Sequence, residues 1–460
     1  MKKLAILAVL ACMVFGFAAS ASAVDLDAKG QFQFQMNFID NPDFLSNKDG
    51  GTNEDDLNFW FRARTEFRFI ANENLWAVLY TEYKNRVGNA HVNESSSDND
   101  DGLYVKRAYL QYRYPGTEVL TSAGIMSINL PGAVTGSMVL GDVDAGAFMV
   151  ETPITDEIAI AGAFIRYTDE AQNDATDATS KDELDIFYAA MPVTLDGISA
   201  TPYFAYAVVG QNVSAANVPA GLLSPNNSAL TKNEYAWWLG TSFNMDMFDP
   251  IVFAADAVYG SVDGDVKQND RSGFLFDASL AYTGLDFVQP VLKFAYTTGE
   301  DDNTSNGSER LPIISDDFDL GTYYLGASSL TAADLGKNPL GFWALGLSFD
   351  NISFFEKLSH KLAFTYIQGT NDEDLIKNVG TAGVGNTNIT ADGNFLTTED
   401  HVFAIDFNTN YQIYDELAAI VEFGYADVDL DKGTWENFRG TIKDKQDPNF
   451  KLALGLVYKF

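Results

Sequence analysis

The chain has 460 residues and a formal net charge of −35, from 29 basic and 64 acidic side chains. This acidic balance argues against nucleic acid as a partner, because a nucleic-acid surface requires a basic patch to neutralise phosphates. The single cysteine, Cys12, excludes an internal disulfide bond.

The first 23 residues have the three parts of a cleavable secretory signal peptide. Two lysines follow Met1, residues 4–19 are apolar or small, and Ala21-Ser22-Ala23 matches an A-x-A cleavage site. We predict cleavage after Ala23, which leaves a mature chain of residues 24–460 without cysteine. A lipoprotein lipidated on Cys12 is the alternative, and the apolar residues that follow Cys12 argue against it.

The first stretch of the mature chain alternates apolar and polar side chains. Phe32, Phe34, Met36 and Phe38 are separated by glutamine and asparagine, which is the period of a β-strand with two different faces. The alternation recurs in about eighteen segments, most of them near the ten residues that a tilted strand needs to cross a bilayer. The segments lie at 29–39, 57–70, 75–86, 103–114, 118–126, 143–152, 157–167, 182–191, 198–209, 234–246, 250–260, 271–283, 286–298, 340–350, 357–368, 398–411, 415–427 and 449–460.

The connections between these segments alternate in length. Short ones, such as Pro115-Gly116 and Gly284-Leu285, alternate with long ones, such as 87–102 and 299–339, which are rich in Asp, Asn, Ser, Thr and Gly. Short turns on one side and long polar loops on the other are typical of bacterial outer-membrane barrels. We therefore predict an all-β fold, a transmembrane antiparallel up-and-down β-barrel of about 18 strands, with 16 as the alternative. An even strand count places both termini on the periplasmic side.

The last segment ends in a pattern that resembles the C-terminal signature of outer-membrane barrels. Six residues at alternate positions share one apolar face: Phe450, Leu452, Leu454, Leu456, Tyr458 and Phe460. The barrel assembly machinery recognises such a signature in that class of protein. We predict Tyr458 and Phe460 as the assembly signal, that machinery as a partner, and outer-membrane lipids and lipopolysaccharide as the surroundings.

A barrel of this size has a wide lumen. Every backbone polar group in hydrocarbon must be paired internally, so the strands must close into a ring. With about eighteen strands, the lumen is too wide to be filled by the side chains of the strands alone. Because the second face of the strands is polar, we predict a water-filled channel through which small hydrophilic solutes diffuse.

The charges on the predicted lumen face are unevenly distributed. Alternation places a basic wall in the first part of the barrel: Arg62, Arg64, Arg68, Lys84, Arg86, Arg107, Arg113 and Arg166. Later strands supply an acidic wall: Asp185, Asp256, Asp277 and Glu422. Opposed walls create a transverse field that orients polar solutes and biases the choice of ion. The alternative is that these cations are ordinary lumen residues paired to neighbours such as Glu66 and Glu82.

The 127–142 loop is apolar and rich in glycine, unlike the acidic loops around it. An apolar loop that extends into water would expose its apolar surface, so we predict that it folds into the lumen and narrows it. Coverage of a subunit interface is the alternative. The candidate constriction residues are Asn129, Leu130, Pro131, Ser137 and Asp142.

Two further regions suggest contacts outside the pore. Small residues at 145–147 and 159–163 predict a flat wall that packs against another barrel, as in a trimer. The acidic stretch 97–102 lacks the spacing of an EF-hand, so a solvated loop is the default. Ca²⁺ or Mg²⁺ that bridges these loops to lipopolysaccharide phosphates is the alternative, and no resident cofactor or metal site is predicted.

Enzyme motifs are missing from the sequence. It contains no G-x-S-x-G, no H-E-x-x-H and no P-loop, and its three histidines, His91, His360 and His401, fall in separate segments. We therefore predict that the protein is not an enzyme.

The sequence resembles the general bacterial porins, and more closely the homotrimeric outer-membrane porins of sulfate-reducing bacteria. The resemblance rests on residues 21–26, on Ala123-Gly124-Ile125 with the following loop, and on the ending Val457-Tyr458-Lys459-Phe460. It implies a trimer of barrels, each with its own channel and with the third loop folded inside as a constriction. In general porins that loop carries acids that face an arginine cluster, whereas here no acid precedes Asp142.

This departure from the general porins changes the expected selectivity. We predict a passive diffusion porin with a weak preference for anions or neutral solutes. The alternatives are a sugar- or oxyanion-specific channel, for which Trp60, Trp76 and Tyr80 could begin an aromatic track, and a structural or adhesive barrel.

Overall fold

The computed structural model describes most of residues 24–460. The described residues are 24–41, 56–87, 102–137, 139–169, 181–214, 217–219, 221–223, 232–264, 267–303, 305–315, 317–326, 330, 341–375, 396–435 and 446–460. The predicted leader, residues 1–23, and the acidic stretch 97–101 lie outside these ranges, so both stay predictions.

Nearly all regular structure in the described ranges is β-strand. The strands are β1 Asp25–Asp40, β2 Asp56–Asn72, β3 Leu75–Arg86, β4 Gly102–Arg113, β5 Leu120–Ile128, β6 Val143–Pro153, β7 Ala159–Asp169, β8 Glu183–Ala190, β9 Val193–Leu195, β10 Ile198–Val209, β11 Glu234–Phe248, β12 Ile251–Asp263, β13 Arg271–Tyr282, β14 Gln289–Thr297, β15 Phe342–Phe355, β16 Leu358–Gly369, β17 His401–Tyr414, β18 Leu417–Asp429 and β19 Asn449–Lys459. A 3₁₀ turn at Lys267–Asn269 and the helix α1, Lys432–Trp435, lie between strands. Within the described ranges, no helix is long and apolar enough to cross a membrane.

The strands form one closed antiparallel barrel. Each strand pairs with the next along the chain except at β8 and β9, and β1 pairs with β19 from Gln31↔Lys459 to Asp40↔Phe450. Both β8 and β9 pair with β10, so they act as one wall strand, interrupted at Pro192, which has no N–H to donate. The described strands therefore make eighteen wall positions, which confirms the prediction of 18 and excludes 16.

The two faces of the wall differ as alternation predicts on the first strands. Phe32 and Phe34 are about 40% exposed on the outer face, whereas Gln33 and Gln35 are 1% exposed on the lumen face. The Gly30 N–H and the carbonyl of Phe460 close the ring at 3.0 Å. Both termini lie at the end of the barrel where the turns are short, as an even strand count requires.

The buried core lies inside the lumen. Apolar lumen-facing side chains on β8 and the strands after it include Ile186, Trp238, Val258, Ile367 and Val402. They share one buried cluster with residues of two loops: Leu130, Val139, Leu140, Leu311, Ile313, Ile314, Phe318, Leu320, Tyr323, Tyr324 and Leu325. The expectation of a polar lumen face throughout the barrel is therefore wrong for the strands that carry these apolar residues. Folded loops fill part of the space that the wall side chains cannot.

Candidate pore and constriction

The 127–142 loop leaves β5 and crosses the lumen to β12 and β13. The N–H groups of Ala133 and Val134 donate to the carboxylate of Asp256 at 2.8–2.9 Å, and the hydroxyl of Thr135 donates to Asp277. A loop with an apolar composition gains by this placement, since it exchanges water for a packed interior. The contacts place the loop within the barrel rather than on its outer surface.

The predicted loop residues close the loop and bury it. Asn129 accepts a hydrogen bond from the N–H of Asp142 at the base of the loop. Leu130 is 3% exposed, and its N–H donates to the carbonyl of Leu140 at 2.9 Å. The Ser137 hydroxyl accepts from the Leu140 N–H at 3.3 Å, and Pro131 is half-buried.

The described residues of a second loop, 299–330, also fold into the lumen and pair with the first. The N–H of Asp319 donates to the carbonyl of Thr135 at 2.7 Å, and the N–H of Asp317 donates to the carbonyl of Ser137 at 2.8 Å. The N–H of Gly141 continues the pairing to the carbonyl of Ser315 at 2.8 Å. The two loops therefore form one connected body within the barrel.

Buried wall residues hold the 299–330 loop in place. The carboxylate of Asp406 on β17 accepts the N–H groups of Thr322 and Tyr323 at 2.9 and 3.0 Å. The indole N–H of Trp238 on β11 donates to the carbonyl of Pro312 at 2.8 Å. The sequence analysis named this connection as a long polar loop and did not predict that it folds into the lumen. The signal that could have revealed it is the apolar content of 311–314 and 323–325 within an otherwise polar connection.

Arg271 on β13 joins the same loop to a third connection. This side chain is 1% exposed, and its guanidinium donates to the carbonyls of Arg310, Leu311 and Leu223 at 2.9–3.1 Å. Five N–H donors in a planar fork suit one arginine to several carbonyl acceptors at once. The loops that enter the lumen are thus tied to each other as well as to the wall.

Seven of the predicted basic-wall residues lie on the lumen face of β2, β3 and β4: Arg62, Arg64, Arg68, Lys84, Arg86, Arg107 and Arg113. The cross-strand register pairs Arg62 with Lys84 and Arg64 with Glu82 on that face. We call these seven residues the basic wall. They bring like charges together along one side of the lumen.

Two arginines of the basic wall are paired with carboxylates at mid-height. Arg64 contacts Glu82, which also accepts the hydroxyl of Tyr104. Arg107 contacts Asp144 at 2.5 Å and Asp142, from the 127–142 loop, at 3.5 Å. Asp142 therefore provides an acid opposite the arginines, although the sequence of the loop showed no acid before it.

The structure places Arg166 and Asp185 on the outer face, which corrects their assignment to the lumen. Their neighbours Ile165 and Ile186 are 1% and 0% exposed and belong to the lumen core. Arg166 makes two hydrogen bonds to Asp185, at 2.9 and 3.0 Å, and one to Asp169 at 2.9 Å. These charges neutralise one another near the long-loop end of β7 and β8.

This outward position has a direct consequence for ion selectivity. We expect Arg166→Ala to leave the reversal potential of the channel in a KCl gradient unchanged, because its charge lies behind the barrel wall. Planar-bilayer recordings of the refolded variant measure this. A shift toward cations as large as that of a basic-wall variant would return Arg166 to the lumen.

The other predicted acids face inward, but they anchor loops rather than line open water. Asp256 and Asp277 hold the tip of the 127–142 loop, as described above. Glu422 is 1% exposed, lies 3.7 Å from Lys451, and accepts a hydrogen bond from the N–H of Leu330 at 3.4 Å. The expected acidic wall is therefore corrected to a set of buried loop anchors.

The small-residue wall is split between the two faces. Ala145, Ala147, Ala161 and Ala163 contribute to the lumen core. Gly146 and Gly162 lie on the outer face, where an added Cβ would meet only a backbone oxygen at 3.8–3.9 Å. The continuous small surface that predicted a trimer contact is thus reduced to its outward half.

A polar cavity of about 490 Å³ opens at the short-turn end of the barrel, beside Lys361, Asn408, Gln412 and Lys459.

In the loops at the opposite end, burial raises the pKa of Asp400, whose carboxylate accepts the indole N–H of Trp435. Among the described residues, no group of three or more His, Cys, Asp or Glu is placed to hold a metal ion.

Comparisons with known proteins find the same fold at low sequence identity. No family model and no curated protein matches the chain. The outer membrane protein OprD from Pseudomonas aeruginosa matches with a TM-score of 0.53 and 11% identity, over 96% of each chain. OccAB3 of Acinetobacter baumannii matches with a TM-score of 0.54 and 9% identity, over 94% of this chain and 100% of that one. OccK11 of Pseudomonas aeruginosa gives 0.51 and 10%, over 94% and 96%.

These likenesses concern the fold alone. They agree with the closed eighteen-strand barrel described above. The resemblance to homotrimeric porins of sulfate-reducing bacteria is not carried by them and stays a prediction. The chain has the fold of an outer-membrane β-barrel similar to OprD and the Occ proteins.

Proposed function

We propose that the protein is a passive diffusion porin of the bacterial outer membrane, with a weak preference for anions or neutral solutes. The observation that carries the proposal is the basic wall, which runs along the lumen face of β2, β3 and β4 beside the inward loops. A wet passage with one basic side passes small hydrophilic solutes and biases their charge. No chemistry and no energy input are required of such a channel.

The preference should be weak because part of the basic charge is already neutralised. Arg64 and Arg107 are paired with Glu82, Asp144 and Asp142 at mid-height. Close opposite charges cancel most of each other's field at a distance. The remaining cations of the basic wall have fewer acidic neighbours, so a small net attraction for anions remains.

The surroundings of the three aromatic residues Trp60, Trp76 and Tyr80 favour passive diffusion over a sugar-specific channel. The rings of Trp60, Trp76 and Tyr80 lie 4.9–5.4 Å from cationic groups of the basic wall. Rings whose faces contact cations are less open to stacking by a sugar. An oxyanion-specific channel is the second candidate, and saturable block of conductance by one solute would distinguish it.

We also propose how this barrel is recognised for assembly and how it associates with other copies. Tyr458 and Phe460 lie on the outer face, 44% exposed, and serve as the signal for the barrel assembly machinery. The outward surface with Gly146 and Gly162 is the proposed contact of a homotrimer, which cross-linking in native membranes tests. Cofactors are not expected, apart from Ca²⁺ or Mg²⁺ between acidic loops and lipopolysaccharide.

Planar-bilayer recording of the refolded mature protein tests the proposed function. We expect large conductance steps and a reversal potential in a KCl gradient that shows mild anion preference. Arg62→Ala and Arg107→Ala should reduce this preference, because each removes a lumen cation, whereas Arg166→Ala is the matched control. Folded, heat-modifiable wild-type protein without conductance would contradict the channel, and a cation preference insensitive to these changes would contradict the selectivity.

A further inference from the structure

The cations of the basic wall have two kinds of partner. Arg64 and Arg107 contact carboxylates, as described above, and Arg113 lies 3.8 Å from Glu118. Arg68, Lys84 and Arg86 instead contact tryptophan rings, and within the described residues they form no ion pair or hydrogen bond with a side chain. Among the described residues, no carboxylate in direct contact cancels their positive charge, which is directed to the lumen.

Trp60 holds one such group near the long-loop end of the barrel. The ammonium of Lys84 lies 5.1 Å from the centre of its ring, and the guanidinium of Arg86 lies 4.9 Å from it. The register places Trp60 directly opposite Arg86 across β2 and β3. One ring thus contacts two adjacent cations that would otherwise repel each other.

Trp76 holds a second group near the short-turn end. Arg68 and Arg113 lie 5.4 and 6.0 Å from the centre of its ring. Arg113 also lies 3.8 Å from the carboxylate of Glu118, so Arg68 is the cation of this group without a carboxylate partner among the described residues. The indole N–H of Trp76 donates to Gln111 at 2.7 Å, and Gln111 donates to Ser122 at 3.0 Å. This chain of hydrogen bonds fixes the ring across three neighbouring strands.

An aromatic ring and a carboxylate hold a cation with different consequences. A cation is attracted to the face of a ring by the quadrupole of the ring, which carries no net charge. A carboxylate cancels the charge that it binds, and water alone leaves a long side chain free to change rotamer. A ring therefore orders the cation while its charge is preserved.

We propose that Trp60 and Trp76 are positioning residues, which hold unneutralised cations at two fixed levels of the pore so that anions are attracted on both sides of the constriction. The inference rests on the proposed function. The two rings are ten residues apart in the register of β2 and β3, since Arg86 lies opposite Trp60 and Ile70 lies opposite Trp76. The neutralised pairs of Arg64 and Arg107 lie between them.

The test compares leucine and phenylalanine at each position. Trp60→Leu and Trp76→Leu keep an apolar side chain but remove the ring, whereas Trp60→Phe and Trp76→Phe keep a ring face. We expect the anion-to-cation permeability ratio to fall by about twofold in each leucine variant and to be largely retained in each phenylalanine variant. The ratio is measured from reversal potentials in a KCl gradient, together with single-channel conductance.

The outcomes separate the positioning role from simple packing. If a leucine variant changes conductance but keeps the wild-type permeability ratio, the rings only fill space and the inference is wrong. If leucine and phenylalanine lower the ratio equally, the ring face is not the cause. Trp60, whose indole takes part in no such hydrogen-bond chain among the described residues, provides the second site should Trp76 variants fail to fold. Folded wild-type protein that does not conduct would overturn the proposed function itself.

Discussion

Asp406→Ala is expected to raise the single-channel conductance, because it releases the 299–330 loop from the wall. The carboxylate of Asp406 is 1% exposed and accepts two consecutive N–H groups, from Thr322 and Tyr323. A buried donor left without an acceptor costs about 1–3 kcal/mol, so two donors weaken the seated loop by about 2–6 kcal/mol. Since about 1.4 kcal/mol is tenfold in an equilibrium, the seated loop should lose at least that factor in population.

Two variants separate loop release from a change in lumen charge. Asp406→Asn keeps an oxygen acceptor and should raise the conductance less than alanine does. Asp350→Ala removes a carboxylate that lies 3.8 Å from Lys361 instead of binding a loop, and it should leave the conductance near the wild-type value. Equal conductance in Asp406→Ala and wild-type protein, measured in the same bilayers, would mean that other contacts hold the loop.

The barrel could be predicted because its signal repeats. Each strand needs an outer face that suits lipid, so aromatic side chains such as Phe32, Phe34 and Phe38 recur at alternate positions. Register is strongly constrained by this alternation, since a shift by one residue would turn the polar face to lipid. The repeated pattern therefore predicted the strand count even where single boundaries differed by several residues.

The lumen face could be predicted only where its partner is water. On β2, charged residues such as Arg62 and Arg64 alternate with phenylalanines, so the contrast between faces is clear. On β7, the residues before Arg166 are small or apolar on both faces, because the lumen side there packs against loops. The two faces of β7 therefore do not differ in polarity, and the alternation pattern assigned Arg166 to the wrong face.

The loop anchors could not be predicted because they depend on contacts between distant residues. Asp406 and Thr322 are 84 residues apart in the chain, and their hydrogen bond exists only once the loop has folded against β17. Glycines on the lumen face mark the same contacts after the fact: a Cβ at Gly424 would strike Tyr323, and one at Gly455 would strike Leu330. A lone glycine in a strand indicates that another group approaches the backbone closely, but it does not identify that group.

Lys451→Met is expected to destabilise the barrel strongly, because it leaves Glu422 as a charge in a closed interior. Lys451 is 0% exposed and Glu422 is 1% exposed, and the ammonium lies 3.7 Å from the carboxylate and 5.2 Å from the ring of Tyr323. Removal of one partner of such a pair costs about 3–5 kcal/mol. Urea unfolding of protein in lipid vesicles, followed by tryptophan fluorescence, measures the loss.

An exposed ion pair provides the control for the buried pair of Lys451 and Glu422. Lys29 and Glu66 are closer, at 3.1 Å, but the lysine side chain is 67% exposed. Because water screens an exposed pair, Lys29→Met should cost at most about 1 kcal/mol despite the shorter distance. The double variant Lys451→Met with Glu422→Gln should recover part of the stability, since it removes the charge of Glu422 together with its cation. Similar losses in Lys29→Met and Lys451→Met, or no recovery in the double variant, would show that burial of the charge is not the cause.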